Sequence, residues 1–162
     1  MVRVAHVTTC RHGSLEHTYA YVDGNPLRYI DPLGLDLTPS QKAAITAAAQ
    51  DWVNSGVPYL WGGSTKKGAD CSGAVSGIYS QAGVDIGRIT SGTITNDPLF
   101  SLATGAPQVG DIGVYPHHVD LYGGATGPNL NVWSATHTGG NPFEPANSLW
   151  FGAPTWYRYN GK

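Results

Sequence analysis

The pattern of apolar and polar residues changes character near residue 36. Downstream of that point an alanine-rich run, "AAITAAA", follows the segment "LTPSQK". Thr38 stands where a helix cap is expected, Pro39 suits the first helical position, and Gln41 completes a capping box. Alanine has a high helix propensity, and Gly56 with Pro58 ends the run. The pattern therefore predicts a first helix that Thr38 caps.

A second helix is predicted from about Cys71 to Gln81 in the stretch "GADCSGAVSGIYSQAG". Asp70 is a suitable cap, because its carboxylate can accept hydrogen bonds from the first free backbone amides. Gly83 provides the left-handed residue that commonly ends a helix. The small residues that follow the cysteine allow this helix to pack closely against a neighbouring element.

Beyond Gly110 the pattern becomes typical of strands. The segments "DIGVY", "HVDLY", "LNVWSA" and "TWYRY" are short, rich in β-branched or aromatic residues, and separated by Gly, Pro and Asn. Helices that come first and strands that follow predict an α+β fold, with the helices packed on a C-terminal antiparallel sheet.

The first 36 residues have a different composition. The stretch "HTYAYVDGNPLRYIDPLGLD" is rich in Tyr, Pro, Gly and Asp, which favour tight turns over helix. A segment of this length and composition is too short to bury a core of its own. We therefore divide the chain into a turn-rich segment, residues 1–36, and a folded domain, residues 37–162.

Composition narrows the function classes. The chain has 162 residues, of which 41% are hydrophobic and 12% charged, and its net charge is -2. This is a globular composition that gives no reason to expect a nucleic-acid partner, since such binding requires dense Lys and Arg. The one adjacent basic pair, Lys66 and Lys67, is interpreted as a solvated loop. No apolar run approaches about 18 residues, so we expect no membrane insertion.

The sequence contains two cysteines, Cys10 and Cys71, which are candidates for a disulfide, a metal ligand or a nucleophile. They could form at most one disulfide, and His and Cys are too sparse for a zinc site, so we expect no metal or cofactor. At a helix start, free backbone amides and the helix dipole favour a thiolate. Local sequence alone leaves two interpretations of Cys71 open, a buried core residue and a nucleophile.

The segment "YAYVDGNPLRYIDPLGL", residues 19–35, resembles the end of the core of Rhs/YD-repeat proteins. In that family the core forms a β-shell around a variable C-terminal toxin, and many members cut themselves after the Asp-Pro-x-Gly-Leu element. The resemblance implies self-cleavage after Leu35 and an Rhs shell as a partner in cis. We see no signal-peptide pattern at the N-terminus, which agrees with export by a type VI-like route.

The domain itself resembles the NlpC/P60 family over about residues 40–159. "PYLWGGSTKKGADCSG" matches the block around the family nucleophile, and "GDIGVYPHHVDLY" is similar to the block that carries the base. The resemblance implies a papain-like fold with Cys71 as nucleophile and His118 as general base. His117 is interpreted as its neighbour in a loop or at the rim.

The resemblance also implies a third polar residue that orients the imidazole from the next strand. In "VWSATHTGG" the matching position is Ser134, which we favour over His137, and a backbone carbonyl is the remaining alternative.

Other residues near the nucleophile have implied roles. Tyr59 matches a family tyrosine that can stabilise the oxyanion together with the Cys71 amide, although it could equally be an aromatic core residue. Asp70 and Ser72 match residues that bind the free amine of a peptide stem, and Asp70 could also be only the helix cap. Asp111 is interpreted as a turn residue.

The two resemblances together imply an antibacterial toxin domain that hydrolyses peptidoglycan stem peptides in the periplasm of a target cell. The expected bond joins γ-D-glutamate to a diamino acid, and a cognate immunity protein is an expected partner. A muramoyl-alanine amidase would use the same groups. An acyltransferase or deamidase remains an alternative, which a wider apolar entrance near Trp133, Phe143, Trp150 and Phe151 would favour. A non-catalytic wall-binding module would lack Cys or His, and both are present.

Overall fold

The computed structural model describes residues 36–136 and 142–161. These residues belong to the second of two compact units, Leu33–Lys162, and the first unit is Met1–Pro32. The segment that resembles an Rhs core, the expected cleavage point after Leu35, Cys10 and His137 all lie outside the described residues.

Two helices form where the sequence predicts them. Helix α1 spans Pro39–Asn54 and helix α2 spans Cys71–Gln81. The capping box of α1 is confirmed, because the Thr38 hydroxyl accepts from the Gln41 amide at 3.2 Å and the Gln41 side chain accepts from the Thr38 amide at 2.8 Å.

A two-stranded hairpin that the sequence analysis did not predict lies between the two helices, and a six-stranded antiparallel sheet follows them, as predicted. The hairpin pairs β1 with β2, and the sheet has the order β3-β8-β4-β5-β6-β7. Their bounds are β1 Ser64–Thr65, β2 Gly68–Ala69, β3 Phe100–Leu102, β4 Ile112–Tyr115, β5 His118–Gly127, β6 Leu130–Ser134, β7 Glu144–Ala146 and β8 Thr155–Tyr159. The α+β architecture with an antiparallel sheet is confirmed.

The core lies between the helices and the sheet. Trp52 of α1 and Tyr79 of α2 are buried, and each meets an aromatic ring edge-on, Phe143 at 6.2 Å and Phe100 at 6.5 Å between ring centroids. The Tyr79 hydroxyl donates a hydrogen bond to the carbonyl oxygen of Gly110, in the turn before β4. Helix α2 is thereby tied to the strand pair β4–β5, which carries His118.

Asp111 is a turn residue, as the sequence analysis interprets it, and it also forms an ion pair. Its carboxylate accepts from the Gln108 amide at 2.8 Å, which closes the turn before β4. The same carboxylate receives two hydrogen bonds from Arg158 of β8, at 2.9 and 2.7 Å. Asp111 is 2% exposed, so this pair fixes β8 against the start of β4.

The turn that precedes the hairpin packs directly against the first turn of α2. The Asp70 amide donates to the Gly63 carbonyl oxygen at 3.1 Å, and the Leu60 amide donates to the Ala69 carbonyl oxygen at 3.0 Å. A Cβ at Gly73 would lie 1.9 Å from the Gly63 carbonyl oxygen. The aromatic-Gly-Gly turn can approach α2 only because residue 73 has no side chain.

The predicted solvated loop at Lys66 and Lys67 is the exposed turn between β1 and β2. Lys66 forms an ion pair there with Asp51 of α1. Neither α1 nor α2 combines the length and the apolar character that a membrane-spanning helix requires, and this holds for the whole described part of the chain.

Candidate active site

Cys71 is the first residue of α2, as the sequence predicts, and it is a free, partly exposed thiol. The helix begins there because Asp70 caps it, accepting a hydrogen bond from the Gly73 amide at 2.7 Å. The remaining free amides of the first turn produce a positive end of the helix dipole beside the sulfur. The sulfur therefore lies at the positive end of the α2 dipole.

His118 begins β5, directly after the two-residue turn formed by Pro116 and His117. His117 is exposed and has a φ of 67°, so it occupies the left-handed region of a tight turn, which agrees with its interpretation as a loop residue. The side chain of His118 is only 13% exposed. Its ring packs against Phe151 at 4.4 Å and Tyr115 at 5.7 Å between ring centroids.

Two acceptors meet one nitrogen of the His118 ring. Nε2 lies 2.8 Å from Asp120 Oδ1 and 3.0 Å from Ser134 Oγ. Asp120 comes two residues after His118 on β5, so strand alternation places both side chains on one face of the sheet. Ser134 reaches the same nitrogen from β6. Cys71 also lies close enough to this ring to raise the pKa of His118.

The structure therefore brings together Cys71, His118 and Ser134, and it adds Asp120, which the sequence analysis missed. The signal for Asp120 was present in "HVD", because residues i and i+2 of a strand share a face. The alternative third residue, His137, lies outside the described residues, so it is neither supported nor excluded.

The protonation of His118 is set by opposing effects. Burial alone lowers the pKa of the imidazole, whereas the hydrogen bonds to Asp120 and Cys71, together with the charges of these two groups, raise its pKa to about 9. A histidine in this environment is an imidazolium at neutral pH. It holds a proton that can be transferred to a leaving amine.

We expect Cys71→Ala to lower the pKa of His118 from its value of about 9, because the variant removes one hydrogen bond and one negative charge that favour the imidazolium. The measurement is a nuclear magnetic resonance titration of histidine-labelled protein, with the His118 signal assigned from its loss in His118→Gln. An unchanged pKa in Cys71→Ala would show that the thiol does not contact the ring.

Tyr59 lies beside the nucleophile, in a bridge to Ala69 of β2. Burial raises the pKa of its hydroxyl, and the charges of Cys71 and Asp70 raise it further. The hydroxyl therefore keeps its proton and remains a hydrogen-bond donor. A role as oxyanion donor stays a prediction.

Asp70 and Ser72 both accept hydrogen bonds from Arg88, a residue that the sequence analysis did not identify. Arg88 donates from Nη2 to both carboxylate oxygens of Asp70 at 2.9 Å and from Nη1 to Ser72 Oγ at 2.8 Å. Asp70 also accepts from the amides of Gly62 and Gly73.

Burial tends to raise the pKa of the Asp70 carboxyl, but these donors outweigh it and keep the pKa below its usual value. A substrate amine would have to compete with Arg88, so the predicted amine-binding role of Asp70 and Ser72 stays a prediction without a free acceptor to support it.

The apolar entrance that would favour an acyltransferase or deamidase is only partly present. Trp133 and Phe143 are 4% and 1% exposed and stack on each other in the core, at 6.5 Å between ring centroids. These two residues therefore do not line such an entrance, because strand alternation turns Trp133 inward. Trp150 and Phe151 are exposed, and Phe151 covers one side of the His118 ring. In the part of the chain that the structure describes, no three Cys, His, Asp or Glu side chains converge as a metal site would require.

Comparison with known proteins agrees with this geometry. Residues 56–130 match the model of the NlpC/P60 family. The chain is similar to the NlpC/p60 domain of the peptidoglycan hydrolase SagA, with 28% identity and a TM-score of 0.55, over 72% of this chain and 97% of that domain.

Two curated relatives extend the comparison. Dipeptidyl-peptidase 6 of Lysinibacillus sphaericus is 39% identical over 69 residues, which are 43% of this chain and 25% of that protein. A Mycobacterium bovis protein named "Probable endopeptidase" is 30% identical over 114 residues, which are 70% of this chain and 27% of that protein. The chain thus corresponds to about a quarter of the length of these relatives. With Cys71 at a helix start and His118 on an antiparallel sheet, the chain contains a domain of the NlpC/P60 fold.

Proposed function

We propose that this domain hydrolyses an amide bond in the stem peptides of peptidoglycan. The observation that carries the proposal is the row formed by the Cys71 thiol, the His118 ring and the Asp120–Ser134 pair, set at the N-terminus of α2. The similarity to a domain of a peptidoglycan hydrolase and to a protein named as an endopeptidase supports the substrate class.

The geometry suggests how the reaction proceeds. The thiolate of Cys71 attacks the amide carbon, and the negative charge moves to the carbonyl oxygen. Backbone amides at the start of α2 and the Tyr59 hydroxyl are the proposed donors to that oxygen. His118 then donates its proton to the leaving nitrogen, which leaves an acyl-thioester on Cys71. Water, deprotonated by the now neutral His118, hydrolyses the thioester and restores the starting state.

We further propose the γ-D-glutamyl to diamino-acid bond as the bond cleaved, and an antibacterial role in the periplasm of a target cell. The support for the role is the resemblance of residues 19–35 to the end of an Rhs core. An Rhs shell in cis, export by a type VI-like route, self-cleavage after Leu35 and a cognate immunity protein belong to the same proposal.

The acyltransferase or deamidase alternative has less support. Two of the four aromatic residues expected to widen the entrance, Trp133 and Phe143, belong to the core. Exposed Trp150 and Phe151 are the part of that expectation that remains. A muramoyl-alanine amidase would need the same catalytic groups, so the products have to distinguish it from an endopeptidase.

The test is digestion of purified peptidoglycan that contains a diamino acid, with soluble and glycan-bound products identified by mass spectrometry. Wild type is compared with His118→Gln, which keeps a similar volume but cannot transfer the proton. We expect the wild type to cut the tetrapeptide stems, so that intact stems disappear from the sample. The products should be a released dipeptide that contains the diamino acid and L-alanyl-glutamate that stays on the glycan.

Other outcomes are equally informative. Release of whole stems with bare glycan strands would identify an amidase. The absence of any product from folded wild type with an alkylatable Cys71 would contradict wall hydrolysis and favour acyl transfer.

A further inference from the structure

We propose that Asp120, two residues after the catalytic histidine on the same strand, is the positioning residue of the site. Asp120 orients the His118 ring with Nδ1 toward Cys71 and stabilises the imidazolium. This inference rests on the proposed hydrolysis for its kinetic consequences, but its central claim concerns a contact that can be measured without any substrate.

Asp120 and Ser134 compete for one proton. Nε2 of His118 carries a single hydrogen, and the two acceptor oxygens lie at 2.8 Å and 3.0 Å from it. A carboxylate forms a charge-assisted hydrogen bond that is about twice as strong as a neutral one. The hydrogen is therefore directed to Asp120, and Ser134 packs beside the pair as a secondary contact.

Among the described residues around Asp120, His118 is the group that can balance the charge of its carboxylate. The carboxylate is completely buried, and Oδ2 has no hydrogen-bond partner among the described residues. Tyr115 approaches from β4, but its single hydroxyl proton is donated to the Ser148 carbonyl oxygen at 2.6 Å. Burial, and after it the charge of Asp120, raise the pKa of Tyr115, so the phenol stays neutral.

A buried carboxylate without a compensating charge is strongly destabilising, whereas a buried pair with good geometry is tolerated. The groups that face the His118 ring are Cys71 from α2, Tyr115 from β4, Asp120 from β5, Ser134 from β6 and Phe151 from the loop before β8. Among these, only His118 can carry a positive charge. Asp120 and His118 therefore form one ion pair, and the charge of Asp120 maintains the proton on the ring.

The test compares Asp120→Asn with Ser134→Ala, which removes the competing acceptor from the same nitrogen. Asparagine keeps the size of aspartate but removes its charge. We expect Asp120→Asn to lower kcat/KM about 10²- to 10⁴-fold, the range for loss of the group that orients a catalytic histidine. Ser134→Ala should lower kcat/KM by less than about 10-fold, because the loss of a neutral hydrogen bond is a smaller effect.

The pH profile separates positioning from a purely structural role. The alkaline limb of kcat/KM reports deprotonation of His118, whose pKa is raised to about 9. Loss of a negative neighbour disfavours the imidazolium, so the limb should move to lower pH in Asp120→Asn and stay in place in Ser134→Ala.

A titration of the His118 resonance gives the same comparison with no substrate present, so it remains valid even if wild type cleaves no peptidoglycan. A fall of the His118 pKa in Ser134→Ala as large as that expected for Asp120→Asn would overturn the proposal. An unchanged pKa in folded Asp120→Asn would overturn it as well. Since the Ser134→Ala result can refute the claim by itself, the test survives if Asp120→Asn does not fold.

Discussion

Cys71→Ala is expected to abolish peptidoglycan hydrolysis, lowering kcat at least about 10⁴-fold. In the proposed mechanism the Cys71 sulfur becomes bonded to the substrate carbon, and neither His118 nor Asp120 can replace it. The small methyl side chain leaves the first turn of α2 and its cap by Asp70 intact. The variant should therefore remain folded. Its free energy of unfolding, measured with urea, should lie within about 0.5 kcal/mol of the wild-type value.

The chain offers a matched control, because it has one other cysteine, Cys10. Cys10→Ser should keep full activity and lose it on alkylation with iodoacetamide, in step with a single adduct on the peptide that contains Cys71. If Cys71→Ala retains hydrolysis while Cys10→Ser loses it, the assignment of the nucleophile is wrong.

Gly73→Ala is expected to destabilise the domain strongly. Its Cβ would lie 1.9 Å from the Gly63 carbonyl oxygen, a backbone atom that cannot rotate away. Helix α2 and the turn at Gly62 and Gly63 must separate, which weakens the hydrogen bond between the Asp70 amide and Gly63. We expect a loss of about 3 kcal/mol in the free energy of unfolding, at the upper end of the range for overpacking.

The same variant should lower activity about 10²-fold even when it is folded, because Cys71 and Tyr59 lie on the two elements that separate, and small displacements of reacting groups have effects of this size. Gly92→Ala is the matched control. Residue 92 is exposed, its Cβ would meet only Thr90 Oγ1 at 3.9 Å, and the free energy of unfolding should change by less than about 0.5 kcal/mol. Equal urea midpoints for the two variants would show that α2 and the turn are not in tight contact.

The sequence by itself determined the features that depend on neighbouring residues. Thr38, Pro39 and Gln41 cap α1 through contacts three residues apart, and Asp70 caps α2 in the same way. These interactions are local, so residue type and spacing are sufficient to predict them. The strand pattern beyond Gly110 likewise predicted an antiparallel sheet, and the short blocks around Cys71 and His118 carried the resemblance to a cysteine peptidase family.

Only the tertiary structure decided which side chains complete the site. Arg88 follows Asp70 by 18 residues, and no periodic pattern relates the two; the ion pair exists because the loop after α2 returns to the start of that helix. Phe151 reaches the His118 ring from the loop before β8 in the same non-local manner.

The inward or outward direction of an aromatic residue was also decided by tertiary structure, since Trp133 and Phe143 are core residues and do not line an entrance. For Asp120, the sequence determines the position of the side chain and the tertiary structure determines its role. Strand alternation, a local rule, places it on the face of His118, but its role depends on burial and on the absence of another cation among the described residues near it. Burial and non-local pairing arise from the whole packed sheet, and for that reason a strand's own sequence could not decide them.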